Sequence, residues 1–442
     1  MNLAPSLSTS RFRRLAKESC WIAVGQGAAV IGALFGIRIL SEMMTPSEYG
    51  LLALGMTLGT FSGQALFGPL CAGAGRFYAL AQEAGEVKLY LKAVRKLVLL
   101  VSEIILLIAV GITIVAGLAG IEYWIPLIIA TVIFSIVSGF NSIASGIQNV
   151  ARQRAIVALH AGMASWGRFI VAAGLMLALG VSSAVAMWGY AIATAIVLGS
   201  QYLFFRPVIQ SARAEIATVH TMSGQWQTNI IRYSWPFATW GVFSWFQVVS
   251  DRWALAMFTS AADVGLFAVL YQIGYYPVAL LAEMLVTLVS PILFQRAGDG
   301  VSTQRIANAS ALTRWIMSVV LLAAATTFLV TLATHDWIFR VLVARQYATV
   351  SYLLPWLILS GGIFAAGQVL SIDRMSALDS KGLIAPKVIT AIMGGLLNIL
   401  GAYLYGLQGV VAASLLFSVI YFGWLFLQYQ NLVIQPIESI RA

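Results

Sequence analysis

The chain has 442 residues, of which 60% are hydrophobic and 10% charged, far from the roughly one quarter charged that covers a soluble domain. Its 26 basic and 16 acidic side chains give a net charge of +10, but the basic residues are divided among thin connections and form no single patch, so they do not point to nucleic-acid binding. Cys20 and Cys71 lie inside apolar runs, and His160, His220 and His335 are scattered; neither set has disulfide-framework or metal-ligand spacing. No Walker loop or hydrolytic triad is present, and no cofactor is implied.

Taken in order, the apolar runs set the architecture. A bilayer core about 30 Å thick asks for about 20 apolar residues per helix. Runs of that kind lie near 19–43, 51–75, 96–119, 123–147, 155–179 and 182–205, and again near 233–258, 265–293, 314–334, 350–372, 383–404 and 408–429. The first is too long for a cleavable signal peptide and lacks a small-residue cleavage site, so it is expected to remain as a spanning helix. The expectation is an all-α polytopic membrane protein with about twelve transmembrane helices. The interval 207–232 is the longest polar stretch. It reads as a cytoplasmic linker between an N-terminal six-helix lobe, 1–206, and a C-terminal six-helix lobe, 233–442.

Charge placement follows the same count. Arg11, Arg13, Arg14 and Lys17 precede the first span. The even-numbered connections hold Arg76, Lys88, Lys92, Arg95 and Lys96; Arg152 and Arg154; Arg206, Arg213 and Arg232; Arg296, Arg305 and Arg314; and Arg374, Lys381 and Lys387. The odd-numbered connections offer Arg340 and Arg345 beside Glu48, Glu122 and Asp263. Short loops rich in Lys and Arg stay cytoplasmic, so both termini are expected on that side. The surplus of basic charge then also draws the protein to anionic membrane lipids.

The halves repeat. TPSEYGLLAL, starting at Thr45, aligns without a gap on SAADVGLFAV, starting at Ser260, with Gly50 on Gly265 and Glu48 on Asp263. Arg38 and Arg252 precede these glycines by twelve and thirteen residues. Span six parallels span twelve, and the exit of span four (Ala151, Arg152) matches that of span ten (Ser380, Lys381). Six spans per half start both repeats on the same side, so they are parallel, related by a pseudo-two-fold axis along the membrane normal.

The turn PSEYGLLAL, the segment DRWALA with its following GLFA, and SKGL with LLN around Asn398 together resemble bacterial oligosaccharide flippases. These form the polysaccharide-transporter branch of the multidrug/oligosaccharidyl-lipid/polysaccharide exporter superfamily, which includes the O-antigen flippases. The resemblance covers essentially the whole chain in pattern. It implies two six-helix lobes around a central cavity and alternating access, with ion coupling as an open alternative. It also implies a substrate of undecaprenyl-pyrophosphate-linked oligosaccharide, turned from the cytoplasmic to the periplasmic leaflet of the bacterial inner membrane for O-antigen, capsule or exopolysaccharide. A polysaccharide polymerase and a chain-length regulator are the partners it suggests. The lipid II flippases resemble this chain but carry two further helices, and no thirteenth or fourteenth span is expected from the apolar runs here. The multidrug exporters share the lobes, but the turn after the first helix looks less like theirs.

Three arginines fall within spans: Arg168 mid-way along span five, and Arg38 and Arg252 near the outer ends of spans one and seven. Burying a guanidinium in lipid costs about 2.5–3.5 kcal/mol on insertion scales, and its planar fork suits phosphate oxygens. All three are candidate cavity cations. Snorkelling to the interface is the competing reading for Arg38 and Arg252, and Arg38 also has Glu42 one turn on. The membrane acids Asp251, Glu283 and Glu103 are candidates for ion coupling or substrate contact; the alternative is that each neutralises a neighbouring arginine. Asp251 and Arg252 are about 100° apart on a helix and need not pair. Pro69, Pro236, Pro277 and Pro291 are candidate kinks, and Trp240, Trp245 and Tyr271 candidate sugar-stacking rings. Two other functions fit less well: a multidrug or small-molecule cation antiporter on the same lobes, and a membrane enzyme of polysaccharide assembly. The antiporter calls for an acidic cavity. The enzyme calls for an outer domain larger than the connection near 335–350 allows.

Overall fold

The computed structural model describes residues 27–28, 30–214, 225–297, 303–376 and 384–441, and among them every regular element is helical. The helices are α1 (30–43), α2 (Pro46–Phe61), α3 (Gly68–Glu83), α4 (Val87–Leu118), α5 (Ile125–Val150), α6 (Arg154–Leu179) and α7 (Ser183–Ala214). They continue with α8 (Trp226–Phe258), α9 (Ala261–Ala297), α10 (Thr303–Leu342), α11 (Leu354–Ser376) and α12 (Ile384–Arg441). Nine helical segments among the described residues are long and apolar enough to cross a membrane. This is a multi-pass membrane protein.

Among the described residues each of the twelve expected spans falls on helix, and the difference from nine has local causes. Span one is described only from residue 27. Span seven is α8, where the Trp, Ser, Tyr and Gln residues of 233–250 lower the mean hydropathy and keep it out of the nine. Spans eleven and twelve run together as α12, which breaks at Gly406 (φ 56°, ψ −133°). Only glycine takes that conformation without strain.

The chain also departs from the expected boundaries. Residues 226–232, expected in the linker, are the first two turns of α8, and α7 carries helix on to Ala214. The reason is burial. Trp226 packs edge-on against Phe77 and Tyr90, and its indole N–H donates to the buried Glu86 carboxylate at 2.7 Å. The second span is interrupted by a π-turn, Ser62–Phe67, where the Gly68 N–H reaches back to the Gly63 carbonyl. Pro69, at the start of α3, has no N–H to give and its ring crowds the preceding turn; the widened turn accommodates it.

Packing divides the chain into two compact units. One comprises Leu54–Trp245 with the stretch ending at Met44; the other comprises Thr45–Ala53 and the chain from Phe246. Of the three boundaries, the one after Met44 falls between α1 and α2, and the other two fall inside helices, one in α2 and one in α8. In the first unit α6 lies on α7 so closely that a Cβ built on Gly189 would overlap the Cα of Ala172. Small residues at such crossings are how lipid-embedded helices gain contact. Gly189→Val is therefore expected to lower stability by about 1–3 kcal/mol, since the obstacle is backbone and cannot rotate away. Gly111→Ala, on α4 with open space around it, is expected to be neutral. Thermal unfolding of the two variants in detergent compares them; equal melting would show the α6–α7 crossing to be loose.

Candidate functional site

In the first unit α6 presents Trp166, Arg168 and Phe169 in succession. The Trp166 indole N–H donates to the Ala28 carbonyl at 3.0 Å, fixing this stretch of α6 to the start of the chain's described residues. Arg168 is half-buried. Its guanidinium carbon lies 4.7 Å from the centre of the Phe169 ring and 5.9 Å from that of Tyr190 on α7. Those two rings meet edge-on at 5.7 Å. The Arg168 Nε is buried and has no hydrogen-bond partner, and among the described residues no carboxylate pairs with the side chain. Aromatic faces offset about 0.5–2 kcal/mol of a cation's desolvation, which leaves a guanidinium in search of an anion.

The second unit treats its arginine differently. Asp251 on α8 is 5% exposed. Its Oδ1 accepts the backbone N–H of Arg252 at 2.6 Å and the Arg252 Nη1 at 3.1 Å. The same Nη1 also donates to the Val248 carbonyl at 2.9 Å. Sequence neighbours a third of a turn apart thus do pair, because the guanidinium folds back along its own helix toward residue 248. Over it lies Tyr271 of α9, 4.5 Å from the guanidinium carbon, with Phe267 at 5.9 Å. Tyr271 in turn stacks on Tyr275 at 4.9 Å. One turn face away, Asn398 of α12 donates to Ser250 at 2.9 Å while its Oδ1 stays buried and unpartnered.

The remaining candidates do not join either cluster. Arg38 pairs with Glu42 one turn along α1, both side chains well exposed. Glu103 is exposed on α4 among exposed Leu99, Leu100, Ile104, Leu106 and Leu107. Glu283 sits on α9 with its side chain outside the described residues. Trp245 is occupied: its N–H donates to the Thr57 carbonyl at 2.7 Å and its ring meets Phe61. Among the described residues no group of three or more His, Cys, Asp or Glu is placed to hold a metal ion.

Two buried polar constellations were not visible in the sequence. Glu86 with Trp226 joins residues 140 apart in the chain, and nothing local marks either one. Gln201 donates to Ser145 and Gln148, all at helical positions, beside His160 held between the Ile156 carbonyl and Ser200. Each is a lone polar residue on an apolar face, and only the facing helix shows that it has a partner.

Solved structures of similar fold are known. An inward-facing multidrug-resistance MATE family transporter of the MOP superfamily superposes with a TM-score of 0.67 at 13% identity, covering 94% of this chain and 98% of that one. The lipid II flippase MurJ in an inward closed conformation gives 0.64 at 13% identity, covering 96% and 91%. A mutant of the Vibrio cholerae MATE transporter VcmN gives 0.55 at 15% identity, covering 96% and 97%. This chain has the fold of those transporters. No family model matches it, and no curated protein matches it in sequence. The shared fold gives the two-lobe, twelve-helix plan expected from the repeat, and it extends over essentially the whole chain.

Proposed function

We propose that this chain is a flippase. It turns an undecaprenyl-pyrophosphate-linked oligosaccharide from the cytoplasmic to the periplasmic leaflet of a bacterial inner membrane, for surface polysaccharide. Arg168 carries the proposal: a half-buried guanidinium whose Nε lacks a hydrogen bond and which has no carboxylate partner among the described residues. A pyrophosphate head supplies both the charge and the paired oxygens that such a fork accepts. That a lipid II flippase shares the fold makes a lipid-linked substrate natural to the scaffold. The chain does no covalent chemistry in this reading. It works by alternating access of an N-terminal lobe (1–206) and a C-terminal lobe (233–442), supplying a polysaccharide polymerase and its chain-length regulator.

A second reading, export of a small organic cation, is favoured by one observation: Asp251 lies buried beside the stacked Tyr271 and Tyr275, and acid with aromatic faces suits a cation. Arg252 already neutralises that acid, which places this reading second. Reconstitution separates the two. Proteoliposomes holding the chain should turn fluorescent undecaprenyl-pyrophosphate oligosaccharide and leave ethidium where it is. Ethidium movement without lipid movement would overturn the flippase.

Orientation has its own test. Reporter fusions at Glu48, Glu122 and Asp263 are expected to read periplasmic, and those at Lys92 and Arg213 cytoplasmic. A cytoplasmic reading at Asp263 would end the assigned orientation.

A further inference from the structure

In sequence Arg168 stands between Trp166 and Phe169, and both of those rings are held by another helix. The two are three apart on α6 and share a face. Helix α1 meets that face with Gly32 and Gly36, four apart and both buried. A Cβ on Gly36 would overlap Cγ and both adjoining ring carbons of Phe169. A Cβ on Gly32 would lie 2.9 Å from Cδ1 and Nε1 of Trp166. Each ring thus fills the place that a side chain on α1 would take. A Gly-x-x-x-Gly stripe lets membrane helices approach closely, and here the stripe receives two aromatic rings. Trp166 is also pinned by its bond to the Ala28 carbonyl at 3.0 Å and by the Phe35 ring at 5.4 Å.

The effect of this seat reaches the guanidinium through Phe169. That ring is 5% exposed, meets Tyr190 edge-on at 5.7 Å, and has the Arg168 guanidinium carbon 4.7 Å from its centre. Cγ is bonded directly to Cβ, so turning the ring about its own axis does not clear a methyl at residue 36. Relief requires a new χ1, of which a helix allows few, or a parting of α1 from α6. Either one takes the aromatic face away from the guanidinium. Arginine has many rotamers to lose, and a fork engages two phosphate oxygens well only where it is held in place.

We infer that Gly32 and Gly36 are positioning residues for Arg168: α1 seats Trp166 and Phe169, and the seated Phe169, with Tyr190, holds the guanidinium ready for a phosphate. The inference rests on the flippase reading for its ligand and on the packing of α1 and α6 for its geometry.

Two measurements on the purified chain in nanodiscs test it. One is the rate at which phenylglyoxal modifies Arg168, followed by peptide mass spectrometry with the exposed Arg76 as internal reference. The other is the dissociation constant of undecaprenyl pyrophosphate. Gly36→Ala should speed modification of Arg168 at least about threefold and weaken lipid binding by a similar factor, the scale of one cation–π contact. Arg76 should react at its parental rate, and Gly111→Ala, with open space around it, should match the parent in both measurements. An unchanged Arg168 rate in Gly36→Ala would overturn the positioning role. A faster rate with unchanged lipid affinity would keep the positioning role and remove the phosphate reading. Should Gly36→Ala fail to accumulate, its combination with Phe169→Ala decides, because that removes the ring the methyl strikes. Recovery of the protein in the double variant supports the seat, and no recovery refutes it.

Discussion

Arg168→Ala is expected to accumulate at the parental level while flipping of the pyrophosphate-linked oligosaccharide falls by at least about tenfold. The drop follows from removing charge-assisted bonds worth about 1.5–3 kcal/mol each, at about 1.4 kcal/mol per tenfold. The protein level should hold because Arg168 has no acid partner among the described residues, so truncation strands no buried carboxylate. What alanine loses internally is the contact with Phe169 and Tyr190, worth about 0.5–1 kcal/mol at a partly exposed site. Arg168→Lys keeps the charge without the fork and should fall between alanine and the parent. Quantitative immunoblotting of membranes and surface-polysaccharide assay separate level from activity. A low level of Arg168→Ala, restored by also removing Glu283, would make the residue a structural ion-pair partner. Full export from Arg168→Ala at normal level would end the phosphate reading and leave the flippase to the shared fold.

The repeat shows what a sequence of this kind discloses. Apolar runs of membrane length repeat with basic connections between them, and both signals are one-dimensional. Hence every expected span falls on helix among the described residues. Gly50 on Gly265 was legible too, as an alignment, and the structure turns it into a contact between the aligned residues. Boundaries were less legible wherever a tertiary partner extends a helix through a polar stretch. Trp226 reads as linker among Gln and Asn, and Glu86 with the Tyr90 and Phe77 rings makes it the first turn of α8. The π-turn before Pro69 was invisible because it solves a backbone problem that the side chains do not announce.

The site residues divide for a similar reason. Arg38 and Arg252 hold matching places, yet one is exposed with Glu42 and the other sits in a tight pair with Asp251. Each repeat supplies its acid at a different spacing, i+4 in the first and i−1 in the second. The first repeat has Ile37 near the place of Asp251, and the second has Ala256 and Met257 near that of Glu42. Position in a repeat therefore conveys the backbone and not the electrostatics. Glu103 marks the same limit: an acid inside an apolar run reads as buried and functional, whereas its helix face is exposed.

Asp251→Ala is expected to be the most destabilising single change in the second unit. Asp251 and Arg252 have side chains only 7% and 11% exposed, and removing one partner of so buried a pair costs about 3–5 kcal/mol. The Val248 carbonyl and the Tyr271 face would remain to the guanidinium, and neither neutralises it. Membrane level and melting temperature should both drop. Asp251→Ala combined with Arg252→Met removes the stranded cation and should recover most of the loss, since an apolar pair is often no worse than a buried ionic one. The double variant then asks about coupling without the confusion of unfolding. If Asp251 ties transport to an ion gradient, the stable double variant will transport with no response to an imposed proton or sodium gradient. If the acid is only the counter-charge of Arg252, the same protein will keep its gradient dependence, and the search for a coupling group moves to Glu283. An Asp251→Ala chain that melts with the parent would show the pair to be dispensable to the fold, removing the physical reason to treat the two residues as one unit.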